Sequence, residues 1–209
     1  MELKELDFGS IEPLLISDEF VERMVKLEKM CHHFHLSLQS GSTKTLARMN
    51  RRYTAEEFEK VTKRLRKAYD DVILTTDIIV GFPGETEEEF TETFEFLSKI
   101  KFFKMHIFKY SIRNGTKAAT MKDQVPGDIK EIRSKKLLEL SDKNELDYIK
   151  TYIGKEVKVL FEEKSGEYYK GHTANYIMVN VKSDKDLSGE LLNVKITDVL
   201  GLELVGNVK

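Results

Sequence analysis

Residues 72–89 have the sequence VILTTDIIVGFPGETEEE, and this stretch decides the fold class. Its first nine residues are mostly apolar and β-branched, which predicts a parallel strand buried on both faces. The next four residues, GFPG, interrupt the strand, and Thr86 with Glu89 has the pattern of a capping box that begins a helix. A buried strand followed at once by a capped helix indicates an α/β fold with a parallel sheet.

The same alternation of strands and helices continues on both sides of this stretch. We predict strands near residues 2–8, 33–38 and 104–110, and helices near 17–30, 54–69 and 126–150. Single helices between strands imply right-handed βαβ units, and the order is typical of the later part of a (β/α) barrel. A sheet of this kind has an exposed edge, so we expect a missing N-terminal portion or a partner to cover it.

After residue 151 the apolar residues recur with a period of two. Valine, isoleucine, leucine and phenylalanine alternate with polar residues over 157–161, 177–181 and 192–196, and glycines separate these segments. About five short strands of this kind predict a small closed all-β barrel of the OB-like class. We therefore expect two domains, with the partial barrel over residues 1–150 and the small barrel over 151–209.

The composition excludes several classes of protein. The single cysteine, Cys31, allows no internal disulfide, no zinc ribbon and no cysteine-ligated iron–sulfur cluster built from this chain alone. The sequence has no apolar run near the ~20 residues that cross a bilayer and no signal-peptide pattern at its start. These features predict a cytoplasmic protein without a membrane segment.

The net charge of −2 conceals two local concentrations of charge. Residues 44–68 contain nine Lys or Arg and three Glu, and residues 85–95 contain six Glu. We interpret both segments mainly as solvated helix faces. For the basic segment, a patch that binds RNA phosphates is the alternative.

The ends of the predicted strands contain the candidate site residues. In a parallel barrel, functional side chains lie just after the carboxyl ends of the strands. Buried carboxylates need a polar partner, and arginine suits a ligand carboxylate. Together these groups suit an amino acid linked to a ribose, and Tyr110 or Phe108 could stack on an adenine. The candidate cofactor-binding residues are Glu12, Gln39, Ser40, Arg51, Asp77, Gly81, Tyr110 and Arg113.

Structural interpretations of the same residues stay open at this point. Asp77 and Arg51 could form a purely structural pair, Glu12 could cap the segment that follows it, and residues 81–85 could be only a tight turn. Gly41 is expected to let the backbone approach a ligand closely. The run from Cys31 to His35 contains three histidines, but a cysteine where a helix gives way to a strand is usually core, so we predict no metal site.

Four sequence blocks resemble the radical-SAM tRNA methylthiotransferases. The blocks are HLSLQSG at 35–41, LARMNRRYT at 46–54, DIIVGFPGET at 77–86 and FKYSIRNGT at 108–116. The amino-acid sequences of these blocks are most similar to those of the branch that modifies threonylcarbamoyladenosine beside the anticodon. The segment from Tyr152 onward is similar to a TRAM domain, the RNA-binding module of these enzymes. The resemblance runs from about Gly9 to the end of the chain.

The resemblance implies an activity and its cofactors. The family uses S-adenosylmethionine and [4Fe–4S] clusters to place a methylthio group on C2 of an adenosine in tRNA, and Glu12, Gln39, Arg51 and Asp77 match its cofactor-binding positions. The family's CxxxCxxC motif and sulfur-donor domain are absent from this sequence. We therefore expect the C-terminal part of such an enzyme, inactive as an isolated chain and bound to tRNA through the TRAM-like domain.

Two alternatives remain at the level of sequence. The chain could be a non-catalytic RNA-binding or accessory protein with a decayed barrel. It could also come from a methylthiotransferase that acts on isopentenyl-adenosine or on a ribosomal protein aspartate. Residues 151–209 contain eight Lys, no Arg and nine acidic residues, so their charge does not support RNA binding.

Overall fold

The computed structural model describes the backbone of residues 6–209 and the side chains of residues 9–209. The first half contains a parallel sheet with strand order β1-β2-β3-β4, formed by Leu6–Ile11, Met30–Gln39, Ile73–Val80 and Lys104–Lys109. Every neighbouring pair in this sheet is parallel. The predicted α/β class with a partial barrel is therefore confirmed.

Five α-helices connect or follow these strands. They are α1 (Asp18–Met24), α2 (Thr43–Arg48), α3 (Ala55–Ala68), α4 (Glu87–Ile100) and α5 (Gly127–Lys150). Short 3-10 turns occupy Pro13–Leu15 and Lys117–Thr120. Thr54 with Glu57, and Thr86 with Glu89, form complete capping boxes at the starts of α3 and α4. The predicted starts of both helices are thus correct.

Two predicted boundaries differ from the structure. The helix expected over residues 17–30 ends at Met24. Leu27 is 45% exposed, so another helical turn would gain little from packing its side chain. The strand expected at 33–38 begins earlier, at Met30. Of the strand expected at 2–8, residues 2–5 lie outside the described residues, and the observed strand continues to Ile11.

One face of the parallel sheet packs on the helices and the other is open. Phe34, Leu36 and Leu38 of β2 are fully buried against the helical layer. On β3, Asp77 and Ile79 are only half-buried, and they alternate with buried Ile78 and Val80. The prediction that this strand is buried on both faces is therefore wrong at its carboxyl end, where the open face forms a cleft.

The second half is a closed five-stranded barrel, as expected. Its strands are β5 (Glu156–Ser165), β6 (Tyr168–His172), β7 (Met178–Val181), β8 (Leu191–Leu200) and β9 (Glu203–Val208), in the order β5-β6-β7-β9-β8. Alternate apolar residues fill its interior. The fully buried ones include Val159, Phe161, Val179, Val194 and Ile196.

The two halves share a packed interface. Ile73 of β3 belongs to the same buried cluster as the interior of the small barrel, together with Ile149 and Tyr152 at the end of α5. The Asn175 side-chain amide donates to the Tyr152 hydroxyl at 2.8 Å and to the Asp71 carbonyl at 3.3 Å. No helix among residues 6–209 has the length and apolar character needed to span a membrane.

Candidate functional site

A cleft of about 460 Å³ lies at the carboxyl ends of β2, β3 and β4. Four of the predicted site residues line it, namely Gln39, Asp77, Tyr110 and Arg113. Phe82 and Phe108 add aromatic surface, and Phe108 is 53% exposed. The cleft thus combines carboxylate, amide and guanidinium groups with aromatic rings, which is the mixture expected of a small-molecule site.

Gln39 ends β2 in a left-handed backbone conformation. Its φ is 71°, a region that residues with a side chain seldom adopt, and its side chain is largely buried. Such strain persists only where the surroundings enforce it, and it concentrates at functional sites. The geometry directs the side chain of Gln39 into the cleft while the chain turns away toward α2.

This turn separates Ser40 and Gly41 from the cleft. The Ser40 side chain is fully buried, and its hydroxyl lies 3.1 Å from that of Thr93 in α4. A Cβ on Gly41 would lie 2.9 Å from the Thr93 Cα, so the close approach there is made by α4. The expectation that Gly41 admits a ligand is therefore wrong, and the hydroxyl of Ser40 faces the helical layer.

Asp77 lies midway along the open face of β3. Its carboxylate oxygen is 3.2 Å from Nε2 of His35 on the adjacent strand. Among residues 9–209 there is no ion pair between Asp77 and Arg51, so the structural pair considered above does not form. The polar partner that a half-buried carboxylate needs is instead a histidine, which sequence reasoning did not assign to this position.

Glu12 and Arg51 do not line the cleft, and each is close enough to the phenol of Tyr53 to affect its pKa. Burial raises the pKa of Tyr53 to about 12, while the nearby Arg51 lowers it and Glu12 raises it further. The Tyr53 hydroxyl donates to the Ser37 carbonyl at 2.5 Å, at the end of β2. Glu12 precedes the 3-10 turn without a side-chain capping bond, so the capping role considered for it is absent.

Tyr110 lines the cleft, whereas Gly81 lies outside its lining, next to Phe82. The Tyr110 ring packs edge-on against Phe82 at 5.3 Å, and its buried hydroxyl has no hydrogen-bond partner among the described residues. Lys130 of α5 donates to the Tyr110 carbonyl at 3.0 Å. Gly81 has a φ of 69°, and a Cβ there would lie 2.3 Å from the Lys130 side chain.

The loop after β3 is fixed by an ion pair that sequence reasoning missed. Arg133 of α5 donates to the Glu85 carboxylate at 2.6 Å, and their side chains are 5% and 1% exposed. The same carboxylate accepts from the Gly81 N–H at 2.7 Å. Burial raises the pKa of Glu85, and the Gly81 N–H and Arg133 oppose that rise.

A second buried carboxylate lies at the start of α4. Glu89 accepts a hydrogen bond of 2.9 Å from Arg48 of α2, and Arg48 holds the pKa of Glu89 below its ordinary value. The interpretation of both charged segments as solvated faces is therefore wrong for Glu85, Glu89 and Arg48. Arg64 is likewise engaged, with Asp18 and the Ile16 carbonyl, so part of the basic segment is used within the protein.

A larger cavity, of about 640 Å³, lies between the open face of the sheet and the small barrel. Four of the five histidines of the chain line it: His33, His35, His106 and His172. His33 and His35 share one face of β2, as their alternation predicted. Their rings lie 2.9 and 3.0 Å from the Thr75 hydroxyl.

Sequence models of two protein families match separate parts of the chain. The sequence model of the Radical SAM superfamily matches residues 7–97, and that of the TRAM domain matches residues 150–208. The first match falls on the parallel sheet and the second on the small barrel, so the chain is similar to the Radical SAM superfamily over its first part and to TRAM domains over its last.

Curated relatives with similar sequences are tRNA-modifying enzymes. The tRNA-2-methylthio-N(6)-dimethylallyladenosine synthases of Acetivibrio thermocellus and Finegoldia magna are 39% and 41% identical to this chain, over 99% of its length. The threonylcarbamoyladenosine tRNA methylthiotransferase MtaB of Bacillus subtilis is 40% identical over 93% of it. The chain is therefore similar in sequence to these enzymes over almost its whole length. It spans 44–45% of the length of these relatives.

Two solved structures have a similar fold. Coproporphyrinogen III oxidase from Escherichia coli, described as a radical SAM enzyme, aligns with a TM-score of 0.57 over 81% of this chain and 46% of its own, at 12% identity. Elp3 from Methanocaldococcus infernus aligns with a TM-score of 0.50 over 88% of this chain and 55% of its own, at 13% identity. At these identities the likeness concerns the fold alone.

The residues present fit one cofactor of the radical SAM family and not the other. S-adenosylmethionine suits the strand-end cleft, because Arg113 and Asp77 can meet its amino acid and ribose. A [4Fe–4S] cluster does not fit, because it needs several thiolates and this chain has one buried cysteine.

Proposed function

We propose that this chain is the C-terminal part of a tRNA methylthiotransferase and that its strand-end cleft binds S-adenosylmethionine. The complete enzyme would add a methylthio group to C2 of the threonylcarbamoyladenosine beside the anticodon. The observation that carries this proposal is the convergence of Gln39, Asp77, Tyr110 and Arg113 on one cleft at the carboxyl ends of the parallel strands. The cytoplasm is the expected location.

Each of these groups has a role that follows from its chemistry. Asp77 accepts hydrogen bonds from the ribose hydroxyls, and the Gln39 amide can donate and accept beside it. Arg113 presents a planar fork to the ligand carboxylate, and exposed Phe108 offers a face for the adenine. Glu12 and Arg51 lie outside the lining of the cleft, and their proposed contact with the cofactor rests on the family resemblance alone. Gly81 precedes Phe82, which lines the cleft, and buried Ser40 supports the turn after Gln39.

The two halves of the chain have different proposed roles. Residues 1–150 would form part of the cofactor cradle, and residues 151–209 would hold the tRNA. On the small barrel, Lys164 and Lys182 lie over the rings of Tyr169 and Tyr168 at 5.1 and 5.0 Å. Basic groups next to aromatic rings are typical of single-stranded RNA-binding surfaces, so this pair of sites supports the proposal despite the balanced charge.

Binding of S-adenosylmethionine to the 209-residue chain tests the cleft directly. Gln39→Gly removes the side chain and relieves the left-handed backbone, so it should weaken binding while the protein becomes up to about 1 kcal/mol more stable. Asn50→Gly is the matched control, because Asn50 also has a positive φ, of 60°, but lies outside the cleft. Calorimetric titration and urea unfolding measure the two effects. Unchanged affinity in the Gln39 variant would exclude that residue from the site.

Reconstitution with iron and sulfide tests the expected inactivity of the isolated chain. Because the chain has one cysteine, and that cysteine is buried, we expect no stoichiometric [4Fe–4S] absorption spectrum and no methylthio transfer. A stoichiometric cluster spectrum would overturn this part of the proposal. The reading frame upstream of Met1 provides an independent check, since a CxxxCxxC motif in frame with it is expected.

Titration of tRNA at several salt concentrations tests the role of the small barrel. Lys164→Ala with Lys182→Ala should weaken binding and reduce its salt dependence. Lys209→Ala is the control, because Lys209, like Lys182, pairs with a glutamate but is not one of the two lysines that lie over these tyrosine rings. Salt-sensitive binding that persists after removal of residues 152–209 would place the RNA surface elsewhere and favour the basic segment 44–68.

Dimethylallyladenosine is the second candidate substrate. This substrate is favoured by the Acetivibrio and Finegoldia relatives, which are named for it. They are 39% and 41% identical to this chain, and the threonylcarbamoyladenosine enzyme is 40% identical. Mass spectrometry of tRNA carrying each modification, after incubation with the complete enzyme, distinguishes the two. Binding of tRNA without any modification of either adenosine would support the accessory-protein alternative.

A further inference from the structure

Three metal-ligating side chains meet on the open face of the sheet, at the level below the strand-end cleft. They are His35 of β2, Asp77 of β3 and His106 of β4, and their ligand atoms all lie within 4.8 Å of one another. The proposed function uses Asp77 but gives no role to either histidine. Two imidazoles and a carboxylate at this separation are the ligand set of a transition-metal site.

The strand register brings these residues together. Asp77 lies directly opposite His106 on β4, and Thr75, two residues earlier on the same face of β3, lies opposite His35 on β2. Side chains two residues apart on a strand share a face, so all three ligands point to the same side of three adjacent strands. Residues on rigid paired strands can hold an ion with little rearrangement.

Neighbouring side chains orient the ligands. Nδ1 of His35 lies 3.0 Å from the Thr75 hydroxyl, and Nε2 lies 3.2 Å from the Asp77 carboxylate. The rings of His35 and His106 are 5.5 Å apart. In the tautomer whose Nδ1 donates to Thr75, the Nε2 lone pair and the Asp77 carboxylate oxygen can both ligate a cation placed between them; in the other tautomer, Nε2–H donates to Asp77 as in the metal-free site. A hydrogen bond to the second ring nitrogen is the usual support of a ligating histidine.

The surroundings leave space for further ligands. His35 and His106 both line the 640 Å³ cavity between the sheet and the small barrel, and His106 is exposed. Two histidines and one carboxylate on one side of an ion leave positions free for water or substrate, as in catalytic sites. Imidazole-rich sites favour zinc, iron, nickel and copper over magnesium and calcium.

We propose that His35, Asp77 and His106 bind one divalent first-row transition-metal ion, with its open positions directed into the interdomain cavity. This site is separate from any iron–sulfur cluster, because it needs no thiolate. It goes beyond the proposed function and shares only Asp77 with it.

Titration of the untagged 209-residue chain with zinc tests the proposal. We expect one saturable zinc ion per chain, and cobalt substitution should give visible d–d absorption of a nitrogen- and oxygen-ligated ion. His35→Asn and His106→Asn should each abolish saturable binding. Thr75→Val, which removes the hydrogen bond to His35, should weaken it about tenfold. Circular dichroism and thermal melting establish that each variant is folded.

His32→Asn is the matched control, because His32 pairs with Asp71 outside the cluster, and it should bind zinc like the parent chain. The proposal is overturned if zinc shows no saturable binding, if binding survives in both His35→Asn and His106→Asn, or if His32→Asn abolishes it. His106 does not line the strand-end cleft, so His106→Asn should retain S-adenosylmethionine binding. Failure of the metal site and failure of the cofactor cleft are therefore distinguishable.

Discussion

Arg133 links α5 to the loop after β3 through a charged contact that is almost completely buried. It donates to the Glu85 carboxylate at 2.6 Å and to the Glu85 carbonyl at 3.1 Å. Its guanidinium also lies 5.2 Å from the centre of the Phe90 ring. Arg133 therefore fixes the loop after β3, which carries Phe82 of the strand-end cleft, against α5.

Replacement of Arg133 by methionine should be strongly destabilising. The variant keeps the length of the side chain but leaves the Glu85 carboxylate buried without its cation, which costs about 3–5 kcal/mol of unfolding free energy. Glu87→Gln is the control, because Glu87 is 64% exposed and its pair with Arg133 is worth less than about 1 kcal/mol. Urea denaturation of both variants measures the difference. A loss in Arg133→Met as small as that of the control would contradict this account.

The same variant should have a characteristic pH dependence. The pKa of Glu85 is raised in the folded protein, so its contribution to stability is complete below the ordinary value of 4.5 and is lost as the pH rises through the folded pKa. Removal of Arg133 raises that pKa further. The penalty of Arg133→Met should therefore be smaller at about pH 5 than at about pH 8. Denaturation at both values checks it, and an equal penalty at both would contradict it.

At the level of elements, closure of the small barrel depends on a glycine in β6. A Cβ on Gly171 would lie 2.4 Å from the Leu160 carbonyl oxygen and 2.8 Å from the Phe161 Cα, both in the backbone of β5. Neither atom can move without separating two paired strands. A side chain at this position therefore opposes the pairing that closes the barrel.

Gly171→Ala should lower the stability by about 1–3 kcal/mol or more, because the added methyl group overpacks a rigid contact. Gly127→Ala carries the same chemical change at the start of α5, where a Cβ meets nothing within 4 Å, and it should be neutral or slightly stabilising. Thermal melting of the two variants compares them. Equal melting temperatures would show that the barrel accommodates the methyl group.

Local sequence patterns predicted most of the helices and strands. They could not predict contacts between residues that are far apart in the sequence. The capping boxes at Thr54 and Thr86 and the strand before Gly81 are defined within a few residues, so the sequence alone predicted them. The pair of Arg133 with Glu85 joins residues 48 positions apart, and no local pattern encodes it.

The sequence likewise predicted some residues of the candidate site but not how distant residues group around it. The rule that functional groups follow strand ends identified Gln39, Asp77, Tyr110 and Arg113, which line one cleft. It could not show that the left-handed turn at Gln39 directs Ser40 toward α4. The grouping of His35 with Asp77 and His106 depends on the register of three strands, which periodicity alone does not give.

At the scale of the whole molecule, the two halves should unfold together. Asn175 of the small barrel is buried and bonds to Tyr152 and to the Asp71 carbonyl next to β3. Tyr148 of α5 donates to the same carbonyl at 3.4 Å. Since Ile73 of the sheet also belongs to the core cluster of the small barrel, the interface contains both apolar and polar contacts.

Asn175→Ala should separate the unfolding of the two halves. The change removes the hydrogen bond to the Asp71 carbonyl of the first half and the one to Tyr152 within the second, at a cost of about 1–3 kcal/mol. Calorimetry should show one transition for the parent chain and two for the variant. Asn193→Ala, at an exposed position of β8, should keep a single transition. An unsplit transition at an unchanged temperature in Asn175→Ala would show that the apolar contacts suffice.

Helix α5 sets the distance between the cleft and the small barrel. Arg133 ties its first half to the loop after β3, and Ile149 ties its last turn to the barrel core. At 1.5 Å per residue, its 24 residues span about 36 Å. The length of the helix therefore fixes the separation of the proposed cofactor and RNA surfaces. One residue inserted in the middle of α5 would rotate one end against the other by about 100° and lengthen the helix by about 1.5 Å. The small barrel would then no longer face the same part of the sheet.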